Sequence, residues 1–272
     1  ICPHSNCQLE SPKFIFIFTM IEASRSDAPN WRVKNGKKQM TERASYGIAC
    51  MRINDHKMQV LLICKRHTYE YSIFVHGWYN SNDRACIIKL FNGMTVGEKY
   101  DIMSLNFTQM WYRIWLNNVN TRPGYMFAKI KFESTFVADG GVLLHKLMAR
   151  TTHGTLRWEL PKGHKKNKTE TDVACAIREF YEETRVSKGS YKLWLASRKQ
   201  SYIDDNVKYT NTYFFAFTRH NIEPRIDFSM RQQIEEITDI AWMDIEEIRR
   251  VDTTGRLEKI VKPAFNYARA RI

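Results

Sequence analysis

The stretch from Trp158 to Val186, WELPKGHKKNKTETDVACAIREFYEETRV, sets the tightest limits on how this chain can fold. Glu179, Glu182 and Glu183 stand at i, i+3 and i+4, so a helix through them carries its carboxylates on one face. Val173, Ile177 and Phe180 recur at near-helical spacing and offer an apolar side to a core. Like charges four residues apart destabilise an exposed helix by about 0.2–0.5 kcal/mol a pair. Either this is an ordinary solvated acidic face, or a divalent cation removes the repulsion, since hard cations prefer clustered carboxylate oxygens. The loop Pro161-Lys162-Gly163 favours the second reading, because a glycine before a helix lets backbone and bound phosphate approach closely.

Gly163, Glu170 and the run Arg178-Glu179-Phe180-Tyr181-Glu182-Glu183 resemble the box of the Nudix hydrolase family. The spacing from Gly163 to Glu170 is one residue longer than the family pattern, an insertion that a loop should tolerate. Arg185 stands where the family has its last glycine, and a left-handed helix end is costly for most other residues. The resemblance implies an α+β fold, the Nudix α/β/α sandwich with a mixed sheet, and hydrolysis of a pyrophosphate link. It implies Glu179, Glu182 and Glu183 as ligands of Mg2+ or Mn2+, with the Gly163 carbonyl as a fourth. Arg178 is implied to orient these carboxylates by charge-assisted hydrogen bonds, and Glu170 to support the loop. Glu179 or Glu182 is implied as general base. Glu236 is a second candidate, because Nudix hydrolases often place a carboxylate just before the strand corresponding to 237–242. Lys162, Lys165, Lys166 and Lys168 crowd the loop; beside a phosphate site they are candidates to bind phosphates, against plain solubility. Trp158, Tyr202, Tyr209 and Phe214 are available to stack on a methylated base.

Lys and Arg number 42 against 29 Asp and Glu, a net charge of +13. That balance suits an anionic partner, though charge alone does not choose among nucleic acid, membrane surface and small anion. Cys50, Cys64, Cys86 and Cys175 lie in apolar strand or helix patterns without a CxxC pair, which points to free buried thiols in a reducing compartment. Cys2 and Cys7 with His4 lack the further ligands of a zinc site. The apolar run over 14–21 is much shorter than the roughly 20 residues of a membrane span, so neither a span nor a targeting segment is expected. The chain opens on Ile1, and Met20 and Met40 are candidate starts.

Residues 1–43 are broken repeatedly by Ser, Asn and Pro and carry Arg32, Lys34, Lys37 and Lys38, which predicts a flexible arm. Strands are predicted over 46–53 and 59–64 around an Asn54-Asp55-His56 turn. From 68 to 152 the pattern becomes helical. Asp83 can cap a helix carrying Ile87, Ile88 and Phe91, and Thr95 with Glu98 forms a capping box. Phe107, Met110, Trp111, Ile114 and Trp115 make an amphipathic helix. After a turn-rich break over 120–124, helices are expected around 126–136 and 141–150. Trp111, Tyr112 and Trp115 fit a buried stripe better than a base-stacking platform. Arg113, Arg122, Lys129, Lys131, Lys146 and Arg150 are candidates for phosphate contacts, against solvated helix surface. Beyond the box, strands over 192–203 and 209–218 form a hairpin around Asp204-Asp205-Asn206. A strand over 237–242, a short helix over 243–250 and a final helix restarting at Pro263 complete the chain. The expected organisation is an arm of 1–43, a Nudix domain of 44–67 with 153–272, and an inserted helical RNA-binding subdomain of 68–152.

Phe74-Val75-His76, Lys89 to Thr95, Met110 to Trp115, Trp158 to Gly163, Cys175 to Phe180 and Pro263 to Asn266 resemble the decapping branch of the Nudix family in large DNA viruses. That implies removal of the mRNA 5′ cap with release of 7-methyl-GDP and 5′-monophosphate RNA. It implies capped mRNA as partner, host shutoff as the consequence, and the host cytoplasm, including the rough endoplasmic reticulum, as the place. It also implies diphosphoinositol polyphosphate hydrolysis as a second activity. The alternatives are a small-molecule Nudix hydrolase of diphosphoinositol polyphosphates or nucleotides, and a non-catalytic RNA-binding module. The complete carboxylate set speaks against the last, and no protein partner is expected.

Overall fold

The computed structural model describes residues 41–116, 123–204, 207–252 and 254–272. The expectations for 1–40, including Cys2, His4 and Cys7, for Arg122, and for the turn at Asp205 and Asn206 fall outside these residues. The described chain divides into two compact units, one of 66–156 and one of 41–65 with 157–272.

The first unit is helical. It holds α1 (Tyr69–Val75), α2 (Arg84–Gly93), α3 (Val96–Ser104), α4 (Phe107–Trp115), α5 (Tyr125–Phe132) and α6 (Val142–Arg150). A π-helical turn, Glu133–Val137, continues α5, so the helix expected over 126–136 changes its hydrogen bonding at Phe132. Asp83 caps α2 by accepting from the Cys86 N–H at 2.9 Å. The box at Thr95 and Glu98 forms, and Asn106 with Gln109 makes a second one at α4. Glu98 does more than close its own helix. Its carboxylate also accepts from the Thr68 N–H at 2.6 Å and hydroxyl at 2.7 Å, so one buried side chain serves the N-termini of both α1 and α3. Burial raises its pKa, and these hydrogen bonds oppose that rise. The core is aromatic: Phe74 lies within 5.8 Å, centroid to centroid, of Phe91, Phe132 and Phe136. Trp111 and Trp115 are buried, and of the aromatic residues of their helix only Tyr112 is exposed, so the tryptophans are core.

The second unit is built on β1 (Thr41–Asn54), β2 (Lys57–Lys65), β3 (Trp158–Glu159), β4 (Lys162–Gly163), β5 (Lys192–Asp204), β6 (Val207–Phe217) and β7 (Ile237–Met243). The sheet runs β3-β2-β1-β6-β5, with β4 added to β1 and β7 to β2. β1 and β6 are parallel and the other pairs antiparallel. β1 starts before the predicted 46, because Thr41↔Val207 through Met51↔Phe217 pair continuously. Residues 41–45 show no apolar alternation; the ladder to β6 orders them, and 41–43 therefore belong to a strand and not to the arm.

Alternate residues feed two cores. Ile48, Cys50, Leu61, Ile63, Phe214 and Ala216 cover one face and pack on Ala176 and Phe180 of α7 (Asp172–Thr184). Ala49, Met51, Val60, Leu62, Phe215 and Phe217 cover the other. α8 (Arg231–Glu236), absent from the sequence reading, leads into β7, and α9 (Ile245–Val251) is capped by Asp244. α10 (Glu258–Arg269) supplies Ile260, Val261, Ala264 and Phe265 to the second core. This is the α+β sandwich with a mixed sheet. Pro263 does not restart the final helix but sits inside it. Burial of residues on both sides of the proline outweighs the roughly 3 kcal/mol that it costs a helix interior. Cys50, Cys64, Cys86 and Cys175 are buried free thiols. No helix among the described residues is long and apolar enough to cross a membrane.

Phe265→Ala should therefore lower unfolding free energy by about 3–5 kcal/mol. Pro263→Ala should leave it unchanged or raise it, both read from urea denaturation.

Candidate active site

The acidic helix is α7. Thr171 caps it, accepting from the Ala174 N–H at 3.2 Å. Its last turn closes on Arg185, which adopts the left-handed conformation (φ 60°) and donates its N–H to the Tyr181 carbonyl at 2.8 Å. Arg185 therefore ends the helix as a glycine would. Its guanidinium stacks 4.4 Å from the Tyr181 ring and lies 3.6 Å from Asp227, contacts that offset the backbone strain. The extra loop residue is absorbed by a turn at Asn167, whose side chain accepts from the N–H groups of Thr169 and Glu170, each at 3.0 Å.

Gly163 pairs with Tyr46 of β1 directly under the helix. A Cβ at Gly163 would overlap the Glu179 carboxylate, so only glycine allows that carboxylate its place. Arg178 gathers the loop and helix. Its guanidinium reaches Glu170 at 2.8 and 3.0 Å, Glu179 at 2.7 Å, Glu182 at 2.9 Å and the His164 carbonyl at 2.7 Å. Desolvation opposes its charge, yet these carboxylates raise its pKa. The acidic face is not solvated: Glu179 and Glu183 are 7% and 6% exposed.

A second group of charges meets the first. Lys65, at the end of β2, donates to Glu183 at 2.9 Å and stands 3.2 Å from Glu159 and 3.5 Å from Glu236. The Lys162 N–H donates to the other Glu183 oxygen at 2.9 Å, and the Lys162 ammonium to Glu159 at 2.8 Å. Burial pushes the Glu183 carboxyl up to about 7; Lys65 opposes this, while Glu236 and Glu159 add to it. For Glu159 burial also favours the neutral acid, but Lys162 and Lys65 prevail and hold it at about 2. His164 is lowered to about 4 by burial, with Lys162 and Arg43 adding to the effect.

One pocket is lined by Lys162, Gly163, His164, Glu179, Glu182, Glu183, Gln232, Gln233, Glu236 and Ile237. The box carboxylates and Glu236, far apart in sequence, thus face one space. Gln232, Gln233, Lys65 and Glu159 were not singled out from the sequence. Lys65 carried a visible signal, a lysine closing the apolar run Val60–Cys64; α8, which delivers the glutamines, carried none. Lys165 pairs with Asp172 at 2.6 Å and lies over Tyr46, Lys166 pairs with Glu182 at 2.8 Å, and Lys168 is exposed. In the helical unit Arg113 pairs with Asp101 and Lys129 lies 4.0 Å from Glu133. Lys131 is half-buried, and its ammonium donates to the Gly77 and Tyr79 carbonyls.

Among the described residues, no three His, Cys, Asp or Glu side chains are grouped as a metal cage; Arg178 and Lys65 hold the carboxylates instead. The donor chemistry nevertheless suits a hard cation: carboxylate oxygens of Glu179, Glu182 and Glu183 line one pocket with Gly163. Glu179 ends in a flexible carboxylate, so Gly163→Ala should keep the melting temperature within a few degrees. It should weaken Mn2+ binding about tenfold or more by displacing that carboxylate, measured by Mn2+ titration.

Residues 135–263 match the NUDIX domain. The chain is 34% identical over 242 residues to the mRNA-decapping protein g5R of African swine fever virus, covering 84% of this chain and 96% of that protein. It is 25% identical over 220 residues to a putative mRNA-decapping protein of Acanthamoeba polyphaga mimivirus, covering 71% of this chain and 60% of that protein. Among solved structures it is similar to a C. elegans Ap4A hydrolase binary complex at 12% identity, covering 84% of this chain and 98% of that one with a TM-score of 0.43. With its box glycine, arginine and carboxylates assembled around one pocket, the chain belongs to the Nudix family of hydrolases.

Proposed function

We propose that this chain removes the mRNA 5′ cap in a divalent-cation-dependent reaction, releasing 7-methyl-GDP and 5′-monophosphate RNA, in the host cytoplasm. The observation that carries the reading is its identity to a viral decapping protein along nearly that protein's whole length, combined with the shared pocket of Glu179, Glu182, Glu183 and Glu236.

Glu179, Glu182, Glu183 and the Gly163 carbonyl would hold Mg2+ or Mn2+. Such a cation neutralises phosphate oxygens and lowers the pKa of water. Arg178 keeps Glu179 and Glu182 together despite their like charge. Glu236 stands on the pocket wall as the group to take the proton of the attacking water, and Glu182 is the alternative base. Lys166 and Lys168 present positive charge at the loop for the RNA 5′ end. For cap stacking we favour Tyr202. It is half exposed and backed by Tyr209, with rings 5.0 Å apart and 25° from parallel, whereas Phe214 is buried in the core. The helical unit would bind the RNA body through exposed cations such as Arg113, Lys146 and Arg150, with Lys129 beside them.

The test is cap-labelled RNA with Mg2+ or Mn2+, with the products separated by chromatography, beside an assay on diphosphoinositol polyphosphates. Wild type should release 7-methyl-GDP, and Glu179→Gln should slow it about a hundredfold or more while RNA binding persists. Equal cap release by both proteins would end the assignment of catalysis to this box. Turnover of the inositol compounds with intact cap would replace the substrate. Reversing Lys129, Lys146 and Arg150 to Glu should weaken RNA binding and reduce the salt slope of log K by about 2. Hydrolysis of a free cap dinucleotide should be unaffected.

A further inference from the structure

The carboxylates of the pocket divide between two cations, and the second lies outside the Nudix box. Arg178 takes Glu170, Glu179 and Glu182. Lys65 takes Glu183, Glu159 and Glu236. These last come from α7, β3 and the end of α8, elements that share no local sequence. We infer that Lys65 is a positioning residue for this site, its ammonium tying Glu183 and Glu236 to the sheet and fixing Glu236 on the pocket wall. The inference rests on the proposed function of that pocket.

Several observations carry it. Lys65 is 8% exposed and closes a strand whose residues 60–64 are all apolar and buried. An apolar side chain would continue that strand with less desolvation, so packing alone does not call for a lysine. The ammonium sits between three carboxylates and bonds Glu183 on the oxygen that the Lys162 N–H leaves open. Both Glu183 oxygens are thus satisfied from the sheet side, which sets the direction of the carboxylate. Glu236 is the last residue of the short α8, and Lys65 lies 3.5 Å from its carboxylate. Removing the ammonium would leave Glu183 and Glu159 to Lys162 and would strengthen the repulsion of both on Glu236, which ends a short helix.

The charge of Lys65 and its positioning role are read separately, the first in cation affinity and the second in kcat. Lys65→Met removes a positive charge that competes for Glu183. Mn2+, measured by its free-ion paramagnetic resonance signal without substrate, should therefore bind about threefold tighter or more. The kcat on capped RNA should nonetheless fall about tenfold or more at little-changed KM, because Glu236 is misplaced. Lys65→Arg should return Mn2+ affinity to within about threefold of wild type and restore part of kcat. If Lys65→Met does not fold, Lys65→Met with Glu159→Gln removes one charge of each sign. That pair should fold, bind Mn2+ nearly as wild type does, and still show the tenfold loss of kcat. Unchanged or weaker Mn2+ binding in folded Lys65→Met, or kcat within about twofold of wild type in either folded variant, overturns the inference. If the wild type binds Mn2+ but leaves caps intact, the decapping reading fails, and the same kcat comparison on the diphosphoinositol polyphosphates that it then hydrolyses decides the role of Lys65.

Discussion

The site depends on holding more carboxylates than cations in a space largely closed to water. Glu159, Glu170, Glu179, Glu182, Glu183 and Glu236 converge on Arg178, Lys65 and Lys162, with Lys166 at the rim. Each buried carboxylate would be unfavourable alone, since desolvation acts on every charge while only a close partner offsets it. The contrasting values of about 2 for Glu159 and about 7 for Glu183 follow from that balance. Glu159 is bonded by two ammonium groups, whereas Glu183 has one and faces further carboxylates. A pocket left with surplus negative charge is suited to a hard cation and to the phosphates such a cation accompanies.

The sheet makes this crowding feasible. β1 lies between β2 and β6, and the short β4 brings Pro161, Lys162 and Gly163 against it. Close approach matters at two glycines: a Cβ at Gly47 would strike the Pro161 carbonyl, and one at Gly163 the Glu179 carboxylate. Loop, helix and strand end can then share hydrogen bonds such as Arg178 to Glu179 at 2.7 Å and Lys65 to Glu183 at 2.9 Å. The two faces of the same sheet bury α7 and α10, so the site is carried by packed elements and not by a loose surface.

Much of this was legible in the residues themselves. The i, i+3, i+4 glutamates on one helix and the caps at Asp83 and Thr95 are local signals, and each formed as read. The misreadings share one cause. Residues 41–43 became strand through pairing with β6, and Pro263 stayed helical because its helix is packed on both sides of it. In each case a contact distant in sequence outweighed a local preference.

By itself the sequence determined the chemistry of the box: which residues carry charge, their common helix face, and the glycine in the loop before it. It also determined that a helical segment separates the second strand from that box. Only the tertiary structure decided that the acidic face is buried, that Glu236 joins it across a long stretch of chain, and that Lys65 and Glu159 belong to the same charge network. Helical spacing is a property of neighbours along the chain. Burial and pairing of charges depend on which strand ends meet, and those meetings are set by the sheet's crossover order and register.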